Sequence, residues 1–164
     1  MDKYNKFLKK FKDARTPTWF WNGEYPLSLS TELINDLENF SENEKTNCRI
    51  CIHTNPEELC QVMLIVERKG MNIPPHFHKN KSDFVFVLKG EMEFYTFDKL
   101  TRNKDIKNLL PFNGFKTPAG MIHAIGIKSE TCTYLETSTG PFVKDEDAIY
   151  PSWAKEWHEK FYMI

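Results

Sequence analysis

Residues 70–90, GMNIPPHFHKNKSDFVFVLKG, decide the reading of the fold. His76 and His78 lie two apart on backbone that the sequence predicts to be extended, so both imidazoles point to one side. Pro74 and Pro75 exclude a helix in the approach. Two imidazoles on one side can share an ion, and imidazole suits Fe, Ni, Cu or Zn. Asp83 opens the run DFVFVLK, whose alternation puts Asp83, Val85 and Val87 on one face and Phe84, Phe86 and Leu88 on the other. The intervening turn allows the Asp83 carboxylate to swing back beside the histidines. Gly90 closes the strand.

A second stretch, PAGMIHAIGI at residues 118–127, supplies a third histidine. Pro118, Ala119 and Gly120 predict a turn, and the strand after it groups Met121, His123 and Ile125. His76, His78 and His123, with or without Asp83, make a 3-His or 3-His-1-carboxylate set. Such a set leaves coordination positions open for water, substrate or dioxygen, as a catalytic ion requires.

Outward from these stretches, residues 47–139 read as short strands: CRICIH, CQVMLIVER, DFVFVLK, EMEFYTF, HAIGIK and TCTYLETS. Turn-like segments such as HTNPEE, KGMNIPP and KSET separate them. Consecutive short strands without helices between them predict an all-β sandwich or barrel. Residues 98–111 read as a surface excursion. In MDKYNKFLKKFKD, Tyr4, Phe7, Leu8 and Phe11 predict an amphipathic helix, and TPTWFWNGEYPL a packed connector. STELINDLENF predicts a capped helix buried through Leu33, Ile34, Leu37 and Phe40. PSWAKEWHEKFYMI predicts a terminal helix, N-capped by Ser152, whose Trp153, Trp157 and Phe161 need a partner surface. The expected organisation is a helical extension at 1–46, a barrel at 47–140 and a C-terminal extension at 141–164, all in one structural domain.

The chain has 164 residues, enough for one core. Its 22 Lys and Arg against 23 Asp and Glu give a net charge of -1, which argues against a nucleic-acid binder or an anionic-membrane binder. No signal stretch and no run of membrane-spanning length is apparent, so a cytoplasmic protein with reduced Cys48, Cys51, Cys60 and Cys132 is expected. Cys48 and Cys51 sit three apart on a strand, facing opposite sides, and read as small buried residues rather than a redox pair.

The two histidine stretches resemble the two motifs of the cupin superfamily. The first motif, G-x5-H-x-H-x3,4-E-x6-G, is matched except that Asp83 stands where Glu is usual. Asp is one methylene shorter, so ligation at a longer distance, ligation through water and no ligation all stay open. In the second, G-x5-P-x-G-x2-H-x3-N, Pro118, Gly120 and His123 match, while Phe112 and Ile127 replace the first Gly and the final Asn. Arg49 and His53 in NCRICIH, Gln61, PPHFH, FVFVLKGEMEFYTFD, PAGMIH, Leu135-Glu136, GPF and PSWA are similar to the WbuC-type cupin-fold metalloproteins of bacterial polysaccharide and O-antigen gene clusters. The likeness covers roughly residues 47–154. It implies a jelly-roll barrel (double-stranded β-helix), one divalent ion per chain (Fe, Mn, Ni or Zn) and a homodimer, without a settled reaction.

Strand faces add polar candidates. Arg49, Cys51 and His53 share one face, Gln61, Met63, Ile65 and Glu67 another, and Tyr134 and Glu136 a third. If these point inward, Arg49 and Gln61 are substrate-binding candidates and His53, Tyr134 and Glu136 candidate proton donors or acceptors, around an anionic or hydroxylated small molecule. Taken singly, His53 and His158 read as ordinary polar residues. Three functions compete: a metal-dependent enzyme on a sugar or nucleotide-sugar, a non-haem iron dioxygenase, and a non-catalytic small-molecule-binding or sensing cupin.

Overall fold

Alternation along the strands sets the architecture, because each face of a strand meets a different layer. The computed structural model describes residues 1–11, 16–70, 73–143 and 147–161, the side chains of 158–161 excepted. In chain order the elements are β1 (Leu8–Phe11), β2 (Thr18–Trp21), α1 (Thr31–Glu44), β3 (Cys48–Cys51), β4 (Cys60–Arg68), β5 (Ile73–His76) and β6 (Asp83–Lys89). There follow β7 (Met92–Phe97), β8 (Lys104–Leu109), β9 (Gly114–Thr117), β10 (Ile122–Ile127), β11 (Thr131–Thr139) and α2 (Ala154–Phe161). One sheet has the order β1-β2-β3-β4-β11-β6-β9 and the other β5-β10-β7-β8. Strands distant in sequence thus become neighbours, β4 beside β11 and β5 beside β10, as in a jelly roll. The fold is all-β, with short helices at its margins.

Between the sheets lie Ile65, Val85, Val87, Met92, Phe94, Leu109, Ile125, Ile127, Cys132 and Tyr134. The opposite face of the larger sheet gives Ile50, Leu64 and Val66 to a second cluster with Leu33 and Leu37 of α1. Ser30 caps α1 by accepting from the Leu33 N–H at 3.2 Å, an interaction worth about 1 kcal/mol. The outer face of the smaller sheet gives Tyr95, Phe97, Ile122 and Ala124 to a third cluster. Trp153 and Trp157 pack on it, at 5.2 Å from Phe97 and 5.5 Å from Tyr95. The aromatic face of the terminal helix thus finds a partner within its own chain. Its Phe161 side chain, like that of His158, lies outside the described residues, as do Lys12, Asp13, Met71 and Asn72.

Three expectations are corrected. The amphipathic helix predicted at the N-terminus is a single 3-10 turn, Asp2–Tyr4, followed by β1. An isolated helix of a dozen residues is marginal in water. The free edge of β2 offers a ladder instead, with Leu8 opposite Trp21 and Phe11 opposite Thr18. Leu8 is buried while Lys9 and Lys10 face solvent. The aromatic connector after it contains β2 itself, parallel to β3. Residues 98–111 are not a simple excursion either, because β8 pairs along the whole length of β7.

Cys48 and Cys51 face opposite sides, as their spacing requires. Burial pushes their thiols up to about 12 and about 11, which keeps both protonated and inert. Gly90 turns the chain from β6 into β7 at φ +80°, and a Cβ there would lie 2.3 Å from the Thr131 carbonyl oxygen. Gly90→Ala is expected to cost on the order of 3 kcal/mol through a left-handed backbone and a backbone clash. Urea denaturation would check it; an unchanged midpoint contradicts the turn.

Candidate metal centre

β5 and β10 run antiparallel at one end of the barrel, with His123 directly opposite His76. Their rings are 4.4 Å apart. His78 follows two residues after His76 and is 5.0 Å from it and 5.5 Å from His123. One ligand atom from each of the three lies within 4.8 Å of the other two. Phe94 stacks under His123 at 5.6 Å and fixes its plane.

The backbone sets the tautomers. His76 Nδ1 donates to the Pro74 carbonyl at 2.9 Å, His123 Nδ1 to the Met121 carbonyl at 3.0 Å, and His78 Nδ1 to the Asp147 carbonyl. A carbonyl only accepts, so each Nδ1 carries the proton and each neutral ring presents an Nε2 lone pair. Burial, then the charge of His123, pushes His76 down to about 3. Burial likewise lowers His123 to about 4. Both rings are therefore neutral at pH 7, as metal ligation requires.

Asp83 is 4% exposed, and its Oδ2 lies 3.1 Å from His78 Nε2. It meets His78 but stands outside the mutually close group of three histidines. With the His78 proton held at Nδ1, both facing atoms carry lone pairs, a contact that a cation relieves. Its Oδ1 is buried without a hydrogen-bond partner among the described residues. Three inward lone pairs and this carboxylate fit a divalent metal ion.

His76 and His123 border a chamber of about 30 Å³, room for one or two water-sized groups. Ile73, Val85, Phe94 and Ile125 make its apolar wall, and Asp83, Thr117 and Glu136 add polar groups. Burial and then the Asp83 charge raise Glu136 to about 7. Of the polar candidates Arg49, His53, Gln61, Tyr134 and Glu136, only Glu136 lines this chamber. Tyr134 is fully buried in the core between the sheets, and burial and the charge of Glu67 hold its phenol well above the ordinary range. Gln61 donates to the Pro56 carbonyl at 2.8 Å and steadies a loop. His53 Nδ1 accepts from the Val62 N–H at 3.2 Å, and Arg49 Nε donates to Thr18 Oγ1 at 3.1 Å.

Thr117, Asp147 and Tyr150 were not evident from sequence. Thr117 faces Asp83 across β6 and β9. Asp147, which holds His78 and pairs with Lys81, is 69 positions from that histidine. Tyr150 lies 5.8 Å from the His76 ring, in a segment anchored by reciprocal Phe77 and Ile149 backbone bonds of 3.0 and 2.9 Å. Beyond Asp147 is a cleft of about 540 Å³, with Lys79, Asn80 and Lys81 in its wall.

Fold and site together give a cupin-like jelly roll carrying a histidine cluster that fits a divalent ion. The chain resembles an oxalate decarboxylase from Bacillus subtilis at 14% identity and a TM-score of 0.52, over 63% of this chain and 27% of that one. It resembles KdgF from Halomonas sp. at 16% identity and a TM-score of 0.50, over 60% of this chain and 82% of that one. It thus spans about a quarter of the oxalate decarboxylase chains it matches. At these identities the likeness establishes the cupin fold. A family model described as a domain of unknown function, DUF6016, matches residues 30–109. No curated protein matches the chain. Among the described residues, no helix is long and apolar enough to cross a membrane.

Proposed function

We propose that the protein is a metal-dependent enzyme acting on an oxygen-rich small molecule, with His76, His78 and His123 as ligands, Asp83 beside them, and Glu136 as general acid and base. One observation carries this: Glu136 shares the small chamber with His76 and His123 and is raised to about 7, so it exchanges a proton near neutral pH. A bound divalent ion would supply Lewis-acid polarisation of a substrate oxygen. Glu136 gives or takes the proton, and Ile73, Val85, Phe94 and Ile125 exclude bulk water from the transfer. The chamber admits only the reacting end of a substrate, so its body belongs in the cleft beyond Asp147. Lys79 there suits an anionic portion, and with the WbuC-type resemblance it favours a nucleotide-sugar or a related sugar of surface-polysaccharide synthesis.

Metal-loaded protein in deuterated water, offered a panel of nucleotide-sugars, is expected to place deuterium on carbon in one of them, read by mass spectrometry. Glu136→Gln is expected to slow this by about 10²–10⁴-fold. No uptake in any panel member would remove the sugar reading. A second reading, oxidation by dioxygen, is favoured by the small chamber, which suits a diatomic reactant. Oxygen consumption with Fe(II) but not Zn(II) would select it.

A further inference from the structure

We infer that Thr117 is a specificity-determining residue of the metal centre, whose hydroxyl binds a small O–H ligand, water or the hydroxyl end of a substrate, held in the chamber. The inference rests on the metal reading above but concerns a residue that no motif marks.

Thr117 is 2% exposed, and its Oγ1 has no hydrogen-bond partner among the described residues. An orphaned buried hydroxyl is costly, and in a β-strand a valine would fill the same volume without that cost. Thr117 lines the same chamber as His76 and His123. Directly across the ladder stands Asp83, whose Oδ1 is equally buried and equally without a partner. Among the described residues, the other polar groups of the chamber wall are His76, His123 and Glu136. The chamber therefore holds two unspent hydrogen-bonding atoms on adjacent strands, in a space for one or two water-sized groups.

The chemistry of those atoms specifies the occupant. An ionised Asp83 only accepts, so the occupant must carry a proton. The Thr117 hydroxyl donates or accepts and can satisfy the occupant's oxygen. A carboxylate fits poorly, because it brings a second negative charge against Asp83. Water or an alcohol oxygen satisfies both atoms at once. The Thr117 hydroxyl lies on the wall of the ion's chamber without belonging to the imidazole set, so it acts on the ligand beside the ion.

The test loads the full chain with Mn(II) and measures exchange of coordinated water by ¹⁷O relaxation, in wild type, Thr117→Val and Thr117→Ser. Thr117→Val is expected to speed exchange at least about threefold with Mn(II) affinity unchanged, and Thr117→Ser to match wild type. Unchanged exchange in Mn(II)-loaded Thr117→Val overturns the inference and leaves the metal reading intact. Failure of the wild type to bind Mn(II) overturns both. In metal-free protein, Thr117→Val is expected to melt at or above the wild-type temperature. A fall of several degrees means that the hydroxyl is bonded within the chain, which also overturns the inference.

Discussion

Alanine at His123 is expected to lower affinity for a divalent ion by more than about a hundredfold, since losing even an outer partner of a metal ligand costs 10–100-fold. His123 is 4% exposed, faces His76 across the β5–β10 ladder and is seated on Phe94. Its loss leaves two imidazoles and Asp83, and no neighbouring nitrogen replaces it among the described residues. The cavity left by the ring costs a few kcal/mol, so the variant's thermal melt must be recorded beside its affinity. His53→Ala is the control, because His53 is tied to the Val62 N–H and stands apart from the three. Competition with a chromophoric chelator measures both. Equal affinity in His123→Ala and wild type would contradict the site.

The metal-free protein is expected to be most stable between about pH 4.5 and 6.5, from four buried groups whose effects oppose. Glu67 and Glu136 are raised from 4.5 to about 8 and about 7, Glu67 by burial and then by the charge of Glu136. The folded chain keeps these protons where the unfolded chain has lost them, so stability falls as pH rises through 7 and 8. His76 and His123 are lowered from 6.5 to about 3 and about 4. The unfolded chain binds those protons first, so stability falls as pH drops toward 4 and 3. Between 4.5 and 6.5 the two slopes cancel. Glu67→Gln removes the larger alkaline cost, at most about 5 kcal/mol for a shift of that size, and is expected to stabilise the protein by a few kcal/mol at pH 9. Urea midpoints across pH for both proteins check it. A Glu67→Gln variant no more stable than wild type at pH 9 would contradict the buried acid.

The histidine cluster was legible because its parts are local. A two-residue spacing on a strand fixes the side of His76 and His78, and the PAG turn fixes His123. The alternation of DFVFVLK correctly placed Val85 and Val87 between the sheets. The N-terminal helix was misread because the same spacing of Tyr4, Phe7, Leu8 and Phe11 is compatible with a turn followed by an edge strand. The free edge of β2, invisible in the sequence, decides between them. Thr117 and Asp147 reach the site only through ladder register and a long return of the chain, which no local pattern encodes. Strand faces named Arg49, His53, Gln61, Tyr134 and Glu136 alike. Only Glu136 lines the chamber, while Arg49, His53 and Gln61 are bonded to Thr18, Val62 and Pro56 and Tyr134 is buried in the core between the sheets.

X-ray absorption at the metal edge, on protein purified with its native ion, tests the metal centre most directly. Three imidazole nitrogens at about 2.0–2.2 Å, with oxygen completing the shell, are expected. A shell containing sulfur at about 2.3 Å, or one without imidazole scattering, would contradict ligation by His76, His78 and His123.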